Sequence, residues 1–155
     1  VSELHEFDAW LGQLLSRLEP AGRRSALRAV ARDLRRSQAQ RIARQKSPDG
    51  SAYEPRKKRS AAQLRREKKG GIKRAAMFAK IRQARHLQME TSANSVAVGF
   101  AGRVARIARV HQEGQRMELG PHGPTSKLPK RVLIGITNTE REAIRTALLA
   151  HLTRD

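Results

Sequence analysis

The stretch Leu87-Gln88-Met89-Glu90-Thr91-Ser92-Ala93-Asn94-Ser95-Val96-Ala97-Val98-Gly99-Phe100 decides the fold class. Leu87, Met89 and Thr91 alternate with Gln88 and Glu90, while Val96, Val98 and Phe100 alternate with Ala97 and Gly99. A period of two is the pattern of a half-buried strand, and Ser92-Ala93-Asn94 supplies turn chemistry between the two runs. The stretch therefore predicts an antiparallel hairpin. Because most other apolar positions follow helical spacing, the fold class is α+β: N-terminal helices, a small antiparallel sheet built on the hairpin, and a C-terminal helix packed on it.

N-terminal to the hairpin, Ile72, Ala75, Ala76 and Ala79 with Met77, Phe78 and Ile81 predict a short helix from Lys73 to Gln83. Residues 51–71 carry little apolar periodicity and hold Arg56-Lys57-Lys58-Arg59, Arg65-Arg66 and Lys68-Lys69-Gly70-Gly71. Such a composition buries too little to offset its ordering entropy, which predicts a flexible segment. Ser47-Pro48-Asp49-Gly50 before it is a turn, since Pro fixes φ, Asp bonds its own backbone and Gly accepts positive φ.

Upstream, a helix is predicted from Ala21 to Gln45, with Leu27, Val30, Ala31, Leu34, Gln38 and Ile42 on one seam. Arg23, Arg24, Arg28, Arg32, Arg35, Arg36, Arg41 and Arg44 crowd the rest of its surface. Before Pro20, Leu4, Phe7, Leu11, Leu14 and Leu18 recur at spacings of three and four, flanked by Trp10 and Leu15, and Ser2 suits the N-cap.

C-terminal to the hairpin, Val104, Ile107, Ala108 and His111 give a helix from Gly102 to Glu113, closed by Gly114 as a C′ glycine. Gln115 to Lys130 reads as a loop and Val132-Leu133-Ile134 as a short buried strand. Thr137-Asn138-Thr139-Glu140 is a capping box opening a last helix, with Ile144, Ala147, Leu148 and Leu152 inward.

A chain of 155 residues is long enough for one domain, 1–155, with one modest core. That core lacks large rings, because Phe7, Trp10, Tyr53, Phe78 and Phe100 are the only aromatic side chains. The formal net charge is +19, of which +15 lies between Arg23 and Arg74. Charge of this density disfavours compaction and attracts polyanions. The apolar runs fall far short of the roughly 20 residues of a membrane span, so no membrane partner is expected. The acidic N-terminal stretch is unlike a signal peptide, and the chain reads as soluble and untargeted.

Little here points to catalysis. Without cysteine there is no thiol nucleophile, disulfide or thiolate metal site. His5, His86, His111, His122 and His151 include no pair at the spacing that puts two ligands on one helix face. Paired carboxylates and a nucleophile arrangement are also missing, so a nuclease or peptidoglycan hydrolase is disfavoured, and no catalytic, cofactor or metal residues are assigned.

Three blocks in order carry a resemblance: the basic helix ending in Ser47-Pro48-Asp49-Gly50 with Tyr53 after it, Ile72 to Arg82, and Phe100 to Gly114 with its His111-Gln112-Glu113-Gly114. With Arg131 to Thr137 and the closing helix, they resemble the phage virion morphogenesis family along nearly the whole chain. Glu113 stands where that family tends to carry an aromatic, and Val132 where it tends to carry a proline.

The resemblance implies a non-enzymatic structural protein at the head-proximal end of a contractile tail. There it makes the tail competent to join the filled head, as a subunit of a homo-oligomeric ring, most simply a hexamer, around the DNA path. Implied partners are tail tube, sheath and terminator or connector proteins and, by non-specific contact, DNA in the channel; the implied locations are the virion and, during assembly, the host cytoplasm. Candidate polyanion or assembly contacts are Arg35, Arg36, Arg41, Arg44, Arg56, Lys57, Lys58, Arg59, Arg65, Arg66, Lys68, Lys69, Lys73 and Arg74. Candidate subunit-interface residues are Phe7, Trp10, Leu11, Arg106, Arg109, His111, Gln112 and Gly114. The charge alone leaves a second reading open, a non-specific nucleic-acid-binding protein acting through its basic segment.

Overall fold

A computed structural model describes residues 2–57, 76–118 and 120–153. Along the chain run α1 (Ser2–Ser16), α2 (Pro20–Ala43), β1 (Leu87–Thr91), β2 (Val96–Phe100), α3 (Arg103–Glu113), β3 (Arg116–Glu118), β4 (Thr125–Lys127) and α4 (Asn138–Leu152). The strands form two separate antiparallel pairs, β1–β2 and β3–β4. The α+β class holds.

α2 is the axis of the molecule. Its N-terminal half packs Ala26, Leu27 and Val30 against Phe7, Leu14, Leu15 and Leu18 around α1 and against Ile144 and Leu148 of α4. Its C-terminal end places Ile42 in a second cluster with Tyr53, Met77, Leu87, Ala108 and Leu133. The single modest core expected from chain length is thus two clusters threaded on one helix. Of the predicted seam Leu27, Val30, Ala31, Gln38 and Ile42 are buried, and Leu34 is half-buried.

The hairpin forms, with Leu87 opposite Phe100, Met89 opposite Val98 and Thr91 opposite Val96, but of the β1 face expected to be buried only Leu87 is, Met89 and Thr91 being exposed. Arg23 ties its turn to α2 by donating to Asn94 Oδ1 at 2.8 Å. The capping box at Thr137 is complete: Glu140 N donates to Thr137 Oγ1 at 3.1 Å and Thr137 N to Glu140 Oε2 at 2.8 Å. Gly114 closes α3 at φ +69, and a Cβ there would lie 3.0 Å from Lys130 Cβ.

Four expectations change. Residues 73–75 of the expected third helix lie outside the described residues, and 76–86 form successive turns. Phe78 takes φ +65, left-handed geometry that an α-helix cannot propagate through. The expected loop 115–130 contains β3 and β4, joined through a turn in which Gly123 N donates to Gly120 O at 3.1 Å. Val132-Leu133-Ile134 is not a strand of either pair. Ser2 is already helical and so is not the cap of α1.

Of the stretch expected to be flexible, residues 51–57 are described and tied down. Ser47 N donates to Ser51 O at 2.8 Å and Tyr53 N to Gln45 O at 2.8 Å, and Tyr53 is buried. Residues 58–71 lie outside the described residues.

Candidate assembly surfaces and the clamps that shape them

Three glutamine side chains do the work of missing strands. Gln112 Oε1 accepts from Leu133 N at 2.7 Å and Ile134 N at 3.2 Å, while its Nε2 donates to Ile134 O at 2.9 Å. Gln38, 2% exposed, accepts from Gly135 N at 3.2 Å and donates to Gly135 O at 2.9 Å. Gln45 accepts from Met77 N at 2.7 Å and donates to Met77 O at 2.9 Å. A primary amide presents one acceptor and two donors, so it satisfies both backbone groups of an extended residue as a neighbouring strand would. The run Leu133–Gly135, of which Leu133 is fully buried, therefore needs no sheet partner. Gly135 also lets this run approach the turn, since a Cβ there would meet Pro48 Cγ at 2.8 Å.

A buried ion pair sits beside these clamps. Glu140 Oε1 accepts from Arg41 Nη1 at 2.8 Å and from Ser37 Oγ at 2.6 Å, and the two charged side chains are 12% and 8% exposed. Arg41 Nη2 donates to Gly135 O at 2.9 Å and to Gln38 Oε1. Sequence reasoning made Glu140 only a capping residue. Its second role was foreshadowed by Gln38, a polar side chain on an apolar seam, which required a buried partner.

A second cationic clamp closes the other cluster. Arg131, 4% exposed, donates from Nε to Glu54 O at 2.7 Å and from Nη2 to Pro55 O at 3.2 Å. Its Nη1 lies 3.2 Å from His111 Nδ1, and Phe78 packs edge-on against the His111 ring at 4.8 Å. Burial first, then the Arg131 and Arg56 charges, hold His111 below its ordinary pKa. His111 thus meets Arg131 across the fold.

The candidate residues divide accordingly. Arg41, His111 and Gln112 are internal fasteners, and Phe7 is 3% exposed, stacked on Trp10 at 6.0 Å with Arg145 over both rings. Trp10 and Leu11 are half-buried on the first cluster, and Gly114 is a half-buried cap. Arg36, Arg44, Arg56, Lys57, Arg106 and Arg109 are exposed, and Arg35 is half-exposed. Arg36 makes an exposed ion pair with Asp33 at 3.8 Å. Lys58, Arg59, Arg65, Arg66, Lys68, Lys69, Lys73 and Arg74 lie outside the described residues.

Apolar surface remains open as well. Leu4, Met89, Ile107, Ile136 and Leu149 are between 38% and 49% exposed. A cleft of about 550 Å³ opens between α1, α2, α4 and the hairpin turn, walled by Leu11, Leu15, Leu27, Val96 and Ile136. Among the described residues no helix is long and apolar enough to cross a membrane.

Comparison with known proteins places this architecture. No solved structure matches the chain significantly. The tail completion protein S of Escherichia phage P2 is 37% identical over 155 residues, which cover 99% of this chain and 100% of that protein. The profile of the phage virion morphogenesis family matches residues 2–153. With its length matched end to end, the chain belongs to the phage virion morphogenesis family.

Proposed function

We propose that this protein is a structural, non-enzymatic component of phage tail assembly. In this reading it completes the head-proximal end of a contractile tail, makes it competent to join the head, and resides in the virion. The observation that carries the proposal is the collinear match, end to end, to a tail completion protein. Open apolar surface supports a role among neighbours: the cleft beside α1 and side chains such as Leu4, Ile136 and Leu149 gain cover when copies associate. The proposed assembly is a homo-oligomeric ring, most simply a hexamer, touching tube, sheath and connector proteins.

The decisive experiment removes the protein from an assembling phage. Unjoined tails should accumulate beside filled heads, and adding the purified chain should restore joining, with labelled chain found at one tail end. Full yield of joined particles without the chain overturns the proposal. Within it, reversing Arg56, Lys57, Lys58 and Arg59 to glutamate leaves the subunit folded and lowers joining; unchanged particle yield would make that cluster a solvated face.

A further inference from the structure

The outer face of α2 carries an arrangement that pairs with no carboxylate among the described residues. Arg24, Arg28 and Arg32 stand four residues apart, so their stems rise from one flank at steps of about 6 Å. All are exposed, and no carboxylate among the described residues pairs with them. Between them Ala21 and Ser25 form the floor of a shallow open depression whose walls are the arginine side chains. Like charges at this spacing weaken a helix, and α2 has no acidic residue in its first turn. The other side of α2 is committed to the hairpin and to α4.

We propose that Arg24, Arg28 and Arg32, with the Ala21–Ser25 floor between them, form a cradle for the phosphate backbone of duplex DNA. Guanidinium groups bind phosphate oxygens bidentately, and the small floor residues let the backbone approach between them. Among the described residues the face carries three cations and no aromatic or large aliphatic anchor, so what complements it is charge, as a polyanion supplies. Contacts of this kind position the duplex and carry no sequence information directly. The inference is drawn from this chain alone and stands whether or not the protein acts in head–tail joining.

The test measures affinity of the full-length chain for a random-sequence duplex across a salt series. Every phosphate that a substitution leaves without its arginine should flatten the log–log slope by about 0.9. The variant R24Q/R28Q/R32Q should therefore lose about 2.7 of slope if each arginine holds one phosphate. The charge-matched control K80Q/R85Q/K127Q, at exposed positions outside α2, should lose much less, and R24K/R28K/R32K should keep the slope while binding more weakly. Thermal melts by circular dichroism establish that each variant is folded. Equal losses in the ridge variant and the control, or no loss in either, overturn the cradle. So does unchanged duplex binding with loss of binding to purified tail tubes, which would assign the ridge to a protein.

Discussion

At the scale of single residues, the stability of the C-terminal half hangs on Glu140. Its carboxylate accepts from Arg41, Ser37, Gln38 and Thr137, so it both caps α4 and neutralises the Arg41 guanidinium beneath the Gln38 clamp. Removing one member of a buried pair leaves the other charged and uncompensated, at about 3–5 kcal/mol. Glu140→Gln should destabilise by that order in urea unfolding, and adding Arg41→Met should cost less than the sum of the two single changes. Additive losses would show that the pair is not coupled. His111 gives a pH dependence. Its pKa is depressed in the folded chain, so below the unfolded value of about 6.5 the unfolded chain binds more protons. Stability should fall as pH drops from about 7 toward the lowered folded pKa. His111→Asn, which keeps an acceptor toward Arg131, should flatten the melting temperature over that window; an unaltered profile would place the dependence elsewhere.

At the scale of elements, what was legible followed from backbone-local chemistry. The hairpin, the Gly114 cap and the Thr137 box were readable because each depends on residues within a few positions of one another. What was not legible depended on partners far away. Leu133 and Ile134 look like a strand, but their backbone is satisfied by Gln112, about 20 positions earlier, and nothing in the apolar pattern marks that. β3 and β4 were hidden because Arg116, Glu118, Thr125 and Lys127 are all exposed and no β-branched or aromatic run announces them. The 73–83 stretch has helical spacing, yet in its described part, from Ala76 on, Gln45 holds Met77 in place and Phe78 takes positive φ, so tertiary contacts override the pattern there. The candidate assembly residues divide in the same way: Arg41 belongs to the interior, whereas Arg106 and Arg109 do face outward. The clamps yield their own prediction. Gln112→Glu keeps the acceptor for Leu133 and Ile134 but sets a second oxygen against Ile134 O, losing one bond and adding repulsion. It should cost about 1–3 kcal/mol in chemical denaturation, with early loss of amide protection at 133 and 134. Unchanged exchange at those amides would mean that the clamp is dispensable.

At the scale of the whole molecule, the balance lies between two small clusters and a large net charge. The apolar clusters share α2, so neither wall of α2 can be lost without exposing the other, and α2 itself carries the densest described arginine array. A formal +19 on 155 residues makes self-repulsion a standing cost of compaction. Screening should relieve it: between about 0.01 and 1 M ionic strength the Debye length shortens from about 30 to about 3 Å. The melting temperature of the isolated chain should therefore rise with sodium chloride over that range. Sulfate, which is also excluded from apolar surface, should raise it further at equal ionic strength. The buried Arg41–Glu140 pair is shielded from solvent and should lose little in the same titration, so Glu140→Gln should keep nearly the same salt response as the parent chain. A melting temperature that stays flat or falls with salt would mean that surface ion pairs such as Arg36–Asp33 and Arg141–Glu3 outweigh the repulsion. In that case the charge would not be a reason for this chain to seek a polyanionic partner.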